Sequence, residues 1–351
     1  MSKAKIGDVA REAGVSLGTV SNALNHPEKV RPETLEHINA AIDRLGYVPN
    51  QGARQLAGGT SRVFGLVLPC LDHAFSLQIA NGVQAEARRH GYDLLIASAG
   101  NDDILENRYM RYFLGAQMAG VLVLPMADNA WKPPVQTPSI PIVYLGIHGK
   151  TPGMYVAADN EAQGRAILEH VHSRGAHRVA VVGNAEFASL SLRVRGICDA
   201  ARELGVEIEL IGRGDWDSAS DGFVLGKWFA ERYGGMRPDC LIGLTDVLAA
   251  GLADGVLAAG KKIPEDVLVA GCDGNPLAWG GSVPLTTIAS PGEEIGRRGV
   301  QVLVDLMEGK RLDVLHQEMV EPKLLARMST ATTRIARKQA EPVALNLGEY
   351  L

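Results

Sequence analysis

The sequence predicts a small all-α head followed by a larger α/β region made of two doubly wound subdomains. Within the first sixty residues, apolar side chains recur at helical spacing in three short stretches. From about residue 62 onward, apolar strand-like runs alternate with helical stretches for about 270 residues, which is typical of parallel βαβ layers. Because that length is too great for one small sheet, we expect two similar subdomains with a cleft between them.

Composition and charge exclude several classes of protein. Of 351 residues, 46% are hydrophobic and 21% are charged, which argues against a disordered, collagenous or coiled-coil chain. The formal net charge of -5 excludes a protein that is basic throughout. The sequence shows no secretory signal, no run of about 20 apolar residues and no zinc-type cysteine spacing, so we expect a cytoplasmic protein with reduced cysteines.

The head differs from the remainder of the chain in charge. Residues 1–60 contain seven Lys or Arg and six Asp or Glu, a formal charge of +1, which leaves -6 for the other residues. This asymmetry has the sign expected for a DNA-binding arm, although its magnitude is small.

A helix-turn-helix is predicted within residues 6–25. Ala10 is small enough for the second helix to approach the first, Gly14 permits a left-handed turn, and Val20 packs the second helix on the first. Ser16 is the expected N-cap of the second helix. A third helix follows, with Leu35, Ile38, Ile42 and Leu45 on one face.

The strands predicted in the α/β region share near-continuous apolar runs, as expected for strands buried on both faces of a parallel sheet. They are Val63–Leu68, Tyr92–Ala97, Val121–Leu124, Ile142–Leu145, Tyr155–Ala158, Val179–Val182, Leu241–Leu244 and Val267–Ala270. The predicted helices between them include Leu77–His90, Ala162–Ser173, Leu192–Leu204 and Val247–Ala259.

The run IGDVAREAGVSLGTVSNALN resembles the DNA-binding head of the lactose/galactose repressor family, and the resemblance extends to about Thr330. It implies a helix-turn-helix head, a hinge helix and a periplasmic-binding-protein-like domain that binds an effector. The implied divisions are 1–47 for the head, 48–61 for the hinge helix and linker, 62–330 for the effector-binding and dimerisation domain, and 331–351 for a C-terminal tail. The N-subdomain would comprise about 62–158 and 290–319, and the C-subdomain about 159–289 and 320–330.

The resemblance also implies which residues face bases. Leu17, Gly18 and Asn22 match positions at base edges in the major groove. Because Gly18 has no side chain, sequence readout should rest on Asn22, which suits adenine, and on Leu17, which suits the thymine methyl group. Ala53 and Leu56 match hinge positions in the minor groove. Paired Leu56 side chains would unstack a central base step, or alternatively Leu56 would anchor the hinge to the effector domain.

A further set of residues matches family contacts to phosphate groups, which fix the register of the protein on DNA but not its sequence preference. These residues are Thr19, Ser21, Asn25, Tyr47 and Asn50. For Thr19, Ser21 and Asn25, a place on the helix surface or a capping role remains an alternative.

The residues implied in effector binding lie near the ends of predicted strands or on the helices that follow. They are Phe75, Asp159, Arg193, Trp216, Thr245, Asp246 and Asp273. Phe75 is alternatively a core residue. Asp159 and the adjacent Asn160, which follow the strand Tyr155–Ala158, could equally cap the next helix, and Asp246 is alternatively a helix cap. Arg195 competes with Arg193 for the same role. An arginine fork suits paired hydroxyls or a carboxylate, and an aromatic ring suits a sugar face, so we expect a sugar, sugar acid or similar metabolite. A nucleobase remains an alternative.

These features predict a ligand-responsive transcriptional repressor that binds a pseudo-palindromic operator as a homodimer, with no cofactor, no metal and no membrane partner. The alternatives are a binding protein of the same fold without a regulatory role, and a sugar-processing enzyme with a DNA-binding head. The GxSxG pattern at Gly14–Gly18 does not indicate an enzyme, because it lies between two helices rather than between a strand and a helix. The leucines near the C-terminus lack sustained heptads, which favours a dimer over a tetramer.

Overall fold

The computed structural model describes residues 4–25, 27–48, 61–71, 74–125, 140–148, 152–185, 188–212, 218–231, 238–275, 277–289 and 291–331. Its contacts divide the chain into two compact units, one ending at Arg62 and the other beginning at Val63. The predicted hinge, apart from its two end residues, and the tail beyond Ala331 lie outside the described residues.

The described residues of the smaller unit form three α-helices, α1 (Ile6–Glu12), α2 (Leu17–Asn25) and α3 (Pro32–Leu45). Gly14 has a φ of 67° in the turn before α2, a backbone conformation that favours glycine. The Ser16 hydroxyl accepts a hydrogen bond from the Thr19 amide at 3.1 Å, as expected of an N-cap. The small core takes side chains from all three helices, namely Val9, Ala10, Val20, Ala23, Ile38 and Ala41. The predicted helix-turn-helix is thereby confirmed.

Within its described ranges, the larger unit contains two six-stranded sheets. The strands of the first are β1 (Val63–Leu68), β2 (Asp93–Ser98), β3 (Gly120–Val123), β4 (Ile142–Leu145), β5 (Gly153–Ala158) and β11 (Leu315–Val320). Those of the second are β6 (Arg178–Val182), β7 (Glu207–Ile211), β8 (Cys240–Gly243), β9 (Leu268–Gly271), β10 (Thr286–Ala289) and β12 (Lys323–Leu325). The strand orders are β11-β5-β4-β3-β1-β2 and β12-β10-β9-β8-β6-β7; among these described strands, β10 and β12 pair antiparallel and the other pairs are parallel.

Helices follow most of these strands, as the βαβ pattern predicts. They are α4 (Ala74–Arg89), α5 (Asp103–Gly115), α6 (Asn160–Ser173), α7 (Ala188–Leu204), α8 (Ala219–Glu231), α9 (Asp246–Ala258), α10 (Leu277–Gly280) and α11 (Gly292–Met307). The chain passes from one sheet to the other after β5, after β10 and between β11 and β12. Two doubly wound layers are therefore confirmed.

The edge strands depart from the sequence prediction. The second predicted strand was expected to be buried on both faces, but β2 is an edge strand in which Leu95 is 51% exposed. At the corresponding edge of the second sheet, β7 is absent from the predicted strands because Glu207 and Glu209 interrupt its apolar run. An edge strand meets solvent on more sides than a central one, so it tolerates polar residues and loses the continuous apolar signature.

Glycines bring α6 and α7 into backbone contact. At Gly164 on α6, an added Cβ would overlap the Arg193 carbonyl oxygen and lie 2.8 Å from its carbonyl carbon. At Gly196 on α7, an added Cβ would overlap the Glu161 carbonyl oxygen. The two helices can approach this closely only because neither position carries a side chain, and this approach fixes the backbone of Arg193.

A polar cluster attaches the last described segment to the second sheet. His170 Nε2 on α6 lies 2.8 Å from the Thr330 hydroxyl, which lies 2.6 Å from the Thr286 hydroxyl on β10. Burial, followed by the nearby positive charge of Arg174, lowers the pKa of His170 to about 4. The imidazole is therefore neutral at neutral pH.

This lowered pKa predicts an acid-sensitive contribution to stability. As the pH falls, the unfolded chain, in which His170 has the ordinary pKa of 6.5, binds a proton at a higher pH than the folded chain does. The stability that neutral His170 contributes to the folded state is therefore lost as the pH falls from 6.5 to about 4. We expect the free energy of unfolding to fall by about 3 kcal/mol across that window relative to a His170→Gln variant. Urea unfolding of both proteins at stepped pH measures this difference, and a difference independent of pH would contradict the prediction.

Candidate functional site

One face of α2 carries the residues expected to read bases. Leu17 is 55% exposed, and Gly18 and Asn22 are also exposed, whereas Val20 and Ala23 are buried in the head core. The helix contains no charged residue. Its outer face therefore presents an apolar side chain, a bare backbone and an amide, which together suit base edges better than phosphates.

The other residues expected at DNA have varied placements. Thr19 and Ser21 are half-buried on α2, and the Thr19 hydroxyl lies 2.8 Å from that of Ser16. Tyr47 packs partly buried against the head core. The Asn25 backbone closes α2, but its side chain lies outside the described part of the chain, as do Asn50, Ala53 and Leu56. Their roles remain predictions.

The positive charges of two arginines of the head are partly neutralised by nearby carboxylates. Arg11 Nη1 lies 3.3 Å from Asp8 Oδ1, and Arg44 Nη1 lies 3.5 Å from Glu12 Oε1. These pairs are solvent-exposed, so each contributes little to stability. They do reduce the local positive potential, in agreement with the small formal charge of the head.

The second sheet has an edge of the kind at which open α/β sheets bind ligands. Its strands β6, β8, β9 and β10 are parallel, so their carboxyl ends meet at one edge. The strand order reverses between β6 and β8, and open α/β sheets bind ligands outside the carboxyl ends at such a switch point. A group of buried polar residues, Asn160, Asn184, Arg193, Thr245, Asp246, Asp273 and Asn275, follows these strands or lies on the adjoining helices.

Arg193 is the centre of this group. It is 6% exposed, and its Nη1 donates to Asp273 Oδ1 at 3.1 Å and to the Leu244 carbonyl at 2.9 Å. Its Nε donates to Asn160 Oδ1 at 3.1 Å. The competing Arg195 is exposed and pairs instead with Glu161 at 2.7 Å on the outer surface. The structure thus places Arg193, rather than Arg195, at the carboxyl edge of the sheet.

Asp246 and Asp273 are joined through each other's backbone. The Asp246 amide donates to Asp273 Oδ2 at 3.1 Å, and the Asp273 amide donates to Asp246 Oδ1 at 3.3 Å. Asp246 is fully buried and also accepts from the Thr287 hydroxyl at 2.6 Å and the Asn275 amide at 2.7 Å. These bonds tie together the loops after β8 and β9 and strand β10.

The environment of Asp246 shifts its titration. Burial is the largest cause, and the negative charge of Asp273 is the second, and together they raise the pKa of Asp246 to about 7. The hydrogen bond from Thr287 and those from the backbone favour the ionised form and offset part of this rise. The carboxylate pair is therefore sensitive to any change in the charge of its neighbours.

The remaining residues expected at the effector occupy several environments. Thr245 caps α9 by accepting from the Leu248 amide at 3.3 Å, and Asp159 caps α6 by accepting from the Ala162 amide at 2.8 Å. Phe75 lies on α4, where it is half-buried and packs against the hydrophobic core of the first sheet. Trp216 lies outside the described residues.

Sequence reasoning assigned no effector-site role to two residues that complete this group. Asn275 and Thr287 are buried, and each donates a hydrogen bond directly to Asp246. A polar residue just after an apolar strand was the available signal for Asn275. Thr287 gave no signal, because its strand was not predicted.

Among the residues that the structure describes, no cluster of three or more His, Cys, Asp or Glu has the arrangement of a metal site. Within the same residues, no helix has the length and apolar character needed to span a bilayer.

Two family models match the chain. Residues 5–50 match the model described as bacterial regulatory proteins, lacI family, and residues 168–330 match a periplasmic binding protein-like domain. Catabolite control protein A of Staphylococcus xylosus is 30% identical over 314 residues, covering 88% of this chain and 94% of that protein. The transcriptional repressor PurR of Photobacterium profundum is 27% identical over 332 residues, covering 93% and 98%.

Solved structures show the same architecture. The lac repressor dimer bound to operator and the anti-inducer ONPF has a TM-score of 0.81 and 24% identity, covering 94% of this chain and 100% of that chain. A complex of the transcriptional regulator CelR with cellobiose has a TM-score of 0.66 and 26% identity, covering 93% and 100%. Since relatives that are transcriptional regulators align along almost its whole length, the chain belongs to the LacI family and is a DNA-binding transcriptional regulator with a ligand-binding domain, not an enzyme.

Proposed function

We propose that this regulator is a repressor that binds a pseudo-palindromic operator as a homodimer and responds to a sugar, sugar acid or similar polar metabolite. The observation that carries the effector proposal is the buried Arg193–Asp273 pair at the carboxyl edge of the second sheet. A guanidinium and a carboxylate side by side supply donors and acceptors in the arrangement that hydroxyl groups require. As a regulator of transcription, the protein would act in the cytoplasm.

Other residues fit a polyhydroxylated effector. Phe75 would supply an apolar wall from the first sheet, and Trp216 would stack on a sugar face. Asp159, Thr245 and Asp246 would shape the polar floor, the last of them through its bonds to Asp273. The CelR complex contains cellobiose, which supports a carbohydrate as the first class to test.

The homodimer proposal rests on exposed apolar side chains at matching edges of the two sheets. Leu95 and Ile96 are exposed on β2, and Leu210 is exposed on the second sheet's edge strand β7. On α8, Phe223 and Trp228 are also exposed. Exposed apolar patches mark interaction sites in soluble proteins, so these side chains are candidates for a subunit interface. Light scattering should give the mass of a dimer, and a tetramer would overturn this part of the proposal.

The proposed division of the chain assigns the hinge helix to residues 48–61, between the head at 1–47 and the effector domain at 62–330. In a dimer, two hinge helices would fold when DNA holds them together. A change in the angle between the subdomains would then alter operator affinity by shifting the population of the binding state.

Leu56→Ala tests the hinge. If paired Leu56 side chains wedge into the minor groove, the substitution removes the groups that unstack the central base step, and operator affinity should fall on the order of tenfold or more. Titration of labelled operator at fixed salt measures the change. Leu56→Met, which retains a long apolar side chain, serves as the control, and unchanged affinity of the alanine variant would refute the wedge.

The experiment that tests the whole proposal begins with selection of bound sites from random DNA. Two half-sites related by a dyad are expected, with A·T pairs at the positions facing Asn22 and Leu17. The selected operator is then titrated in the presence of neutral sugars, sugar acids, polyols and nucleobases. A change in operator affinity with only a nucleobase would overturn the sugar proposal, and selection of no common site would overturn the operator proposal.

A further inference from the structure

Asn160 lies where the chain leaves the first sheet and enters the second subdomain. β5 ends at Ala158, and Asn160 is the first residue of α6. Between them, the Asp159 amide donates to the Val320 carbonyl at the end of β11, at 3.1 Å. The crossover is thus hydrogen-bonded to the first sheet up to the residue before Asn160, which is itself only 2% exposed.

The side chain of Asn160 makes one hydrogen bond toward each sheet. Its Nδ2 donates to the Ala158 carbonyl at 3.3 Å, and its Oδ1 accepts from Arg193 Nε at 3.1 Å. Arg193 in turn donates hydrogen bonds to the Leu244 carbonyl, which follows β8, and to Asp273, which follows β9. A continuous run of buried hydrogen bonds therefore joins the last residue of β5 to the ligand-binding edge of the second sheet.

Helix initiation does not explain an asparagine at this position. The N-cap of α6 is Asp159, whose Oδ1 accepts from the Ala162 amide. Burial of an amide costs free energy unless its polar groups are bonded. The two bonds to Ala158 and Arg193 are thus what make asparagine suitable here.

We propose that Asn160 is a positioning residue that aims Arg193 and links it to the crossover, so that a ligand engaging Arg193 alters the connection between the two sheets. The proposal depends on the proposed function only in assigning the effector to Arg193. The link between Arg193 and the crossover is a property of the protein alone, and it is tested without a ligand.

The test is amide hydrogen exchange of the full chain, followed by mass spectrometry of peptides covering 153–163 and 315–325. Arg193→Lys keeps a positive charge for Asp273 but removes the Nε–H that donates to Asn160. Asn160→Ala removes both bonds of the amide. Arg193→Lys should speed exchange of the crossover peptides by about fivefold, the effect of one lost hydrogen bond, and Asn160→Ala should speed it by at least as much. The double variant should be no faster than Asn160→Ala alone.

A third variant separates the two bonds. Asn160→Asp retains an oxygen for Arg193 but loses the donor to Ala158. Exchange should accelerate in the crossover peptides and remain unchanged in peptides covering 240–246 and 271–275. If Asn160→Ala does not fold, Asn160→Asp replaces it in the comparison with Arg193→Lys.

Arg195→Gln is the matched control. It breaks the exposed Arg195–Glu161 pair, which joins the same two helices on their outer surface. We expect no change at the crossover. Additive effects in the double variant, or equal acceleration by Arg195→Gln, would overturn the proposal and indicate general loosening of α6 and α7. Failure of operator selection with this exchange coupling intact would instead overturn only the proposed function.

Discussion

Gly164→Ala is expected to lower the free energy of unfolding of the larger unit by about 3 kcal/mol, at the upper end of the cost of overpacking. The added methyl group would overlap the Arg193 carbonyl oxygen and lie 2.9 Å from the Ile197 amide nitrogen. Because both neighbours are helix backbone rather than a flexible side chain, relief requires α6 and α7 to move apart. That movement displaces Arg193, so effector binding should weaken as well.

Urea unfolding followed by circular dichroism measures the loss. Gly115→Ala is the matched control, because Gly115 closes α5 and a Cβ there meets no atom within 4 Å. Alanine at such a helical position should be neutral or stabilising by about 0.5–1 kcal/mol. Equal stability of the two variants would show that the close approach of α6 and α7 is not required.

Asp273→Asn is expected to produce the second large effect. Each carboxylate oxygen of Asp273 accepts a different donor, Oδ1 from Arg193 Nη1 and Oδ2 from the Asp246 amide. Asparagine has a single acceptor oxygen, so one of these buried donors would face an NH₂ group, and Arg193 would lose its charged partner. Breaking a buried pair in this way costs about 3–5 kcal/mol.

The same substitution should change the pH dependence of stability. The folded-state pKa of Asp246 lies above its ordinary value of 3.8, so the folded state holds this proton more tightly than the unfolded state does. The stability that the protonated Asp246 carboxyl contributes is therefore fully present below pH 3.8 and is lost as the pH rises to about 7. The negative charge of Asp273 causes part of the rise in pKa, so Asp273→Asn should reduce this loss.

Unfolding curves of both proteins from pH 4 to 7.5 would show the reduction. The control is Glu203→Gln, which breaks the exposed Arg165–Glu203 pair between α6 and α7 and should leave the free energy of unfolding nearly unchanged, because exposed ion pairs contribute little to stability. An Asp273→Asn variant as stable as this control would contradict the central place of the Arg193–Asp273 pair.

Local sequence spacing was sufficient to predict the head. Ala10, Gly14 and Val20 are separated by only a few residues, and each satisfies a requirement of one tight turn between two helices. The alternation of apolar strands and helices likewise predicted two doubly wound layers, because a strand buried on both faces is recognisable from its own residues. The edge strands β7, β11 and β12 escaped prediction, since solvent on one side removes that signature, and the buried strand β10 escaped because two of its four residues are threonine.

The sequence by itself determined the helix-turn-helix and the α/β class, and its resemblance to the lactose/galactose repressor family singled out Arg193 and Asp273. Only the tertiary structure decided how they are used. Arg193 is 33 residues from Asn160 and 80 residues from Asp273, and no local pattern relates positions so far apart. Their contact depends on where parallel strands end and on the close approach of α6 and α7 at Gly164. These buried polar residues hydrogen-bond to one another, because a buried polar group without a partner would cost a large fraction of the small net stability of the fold.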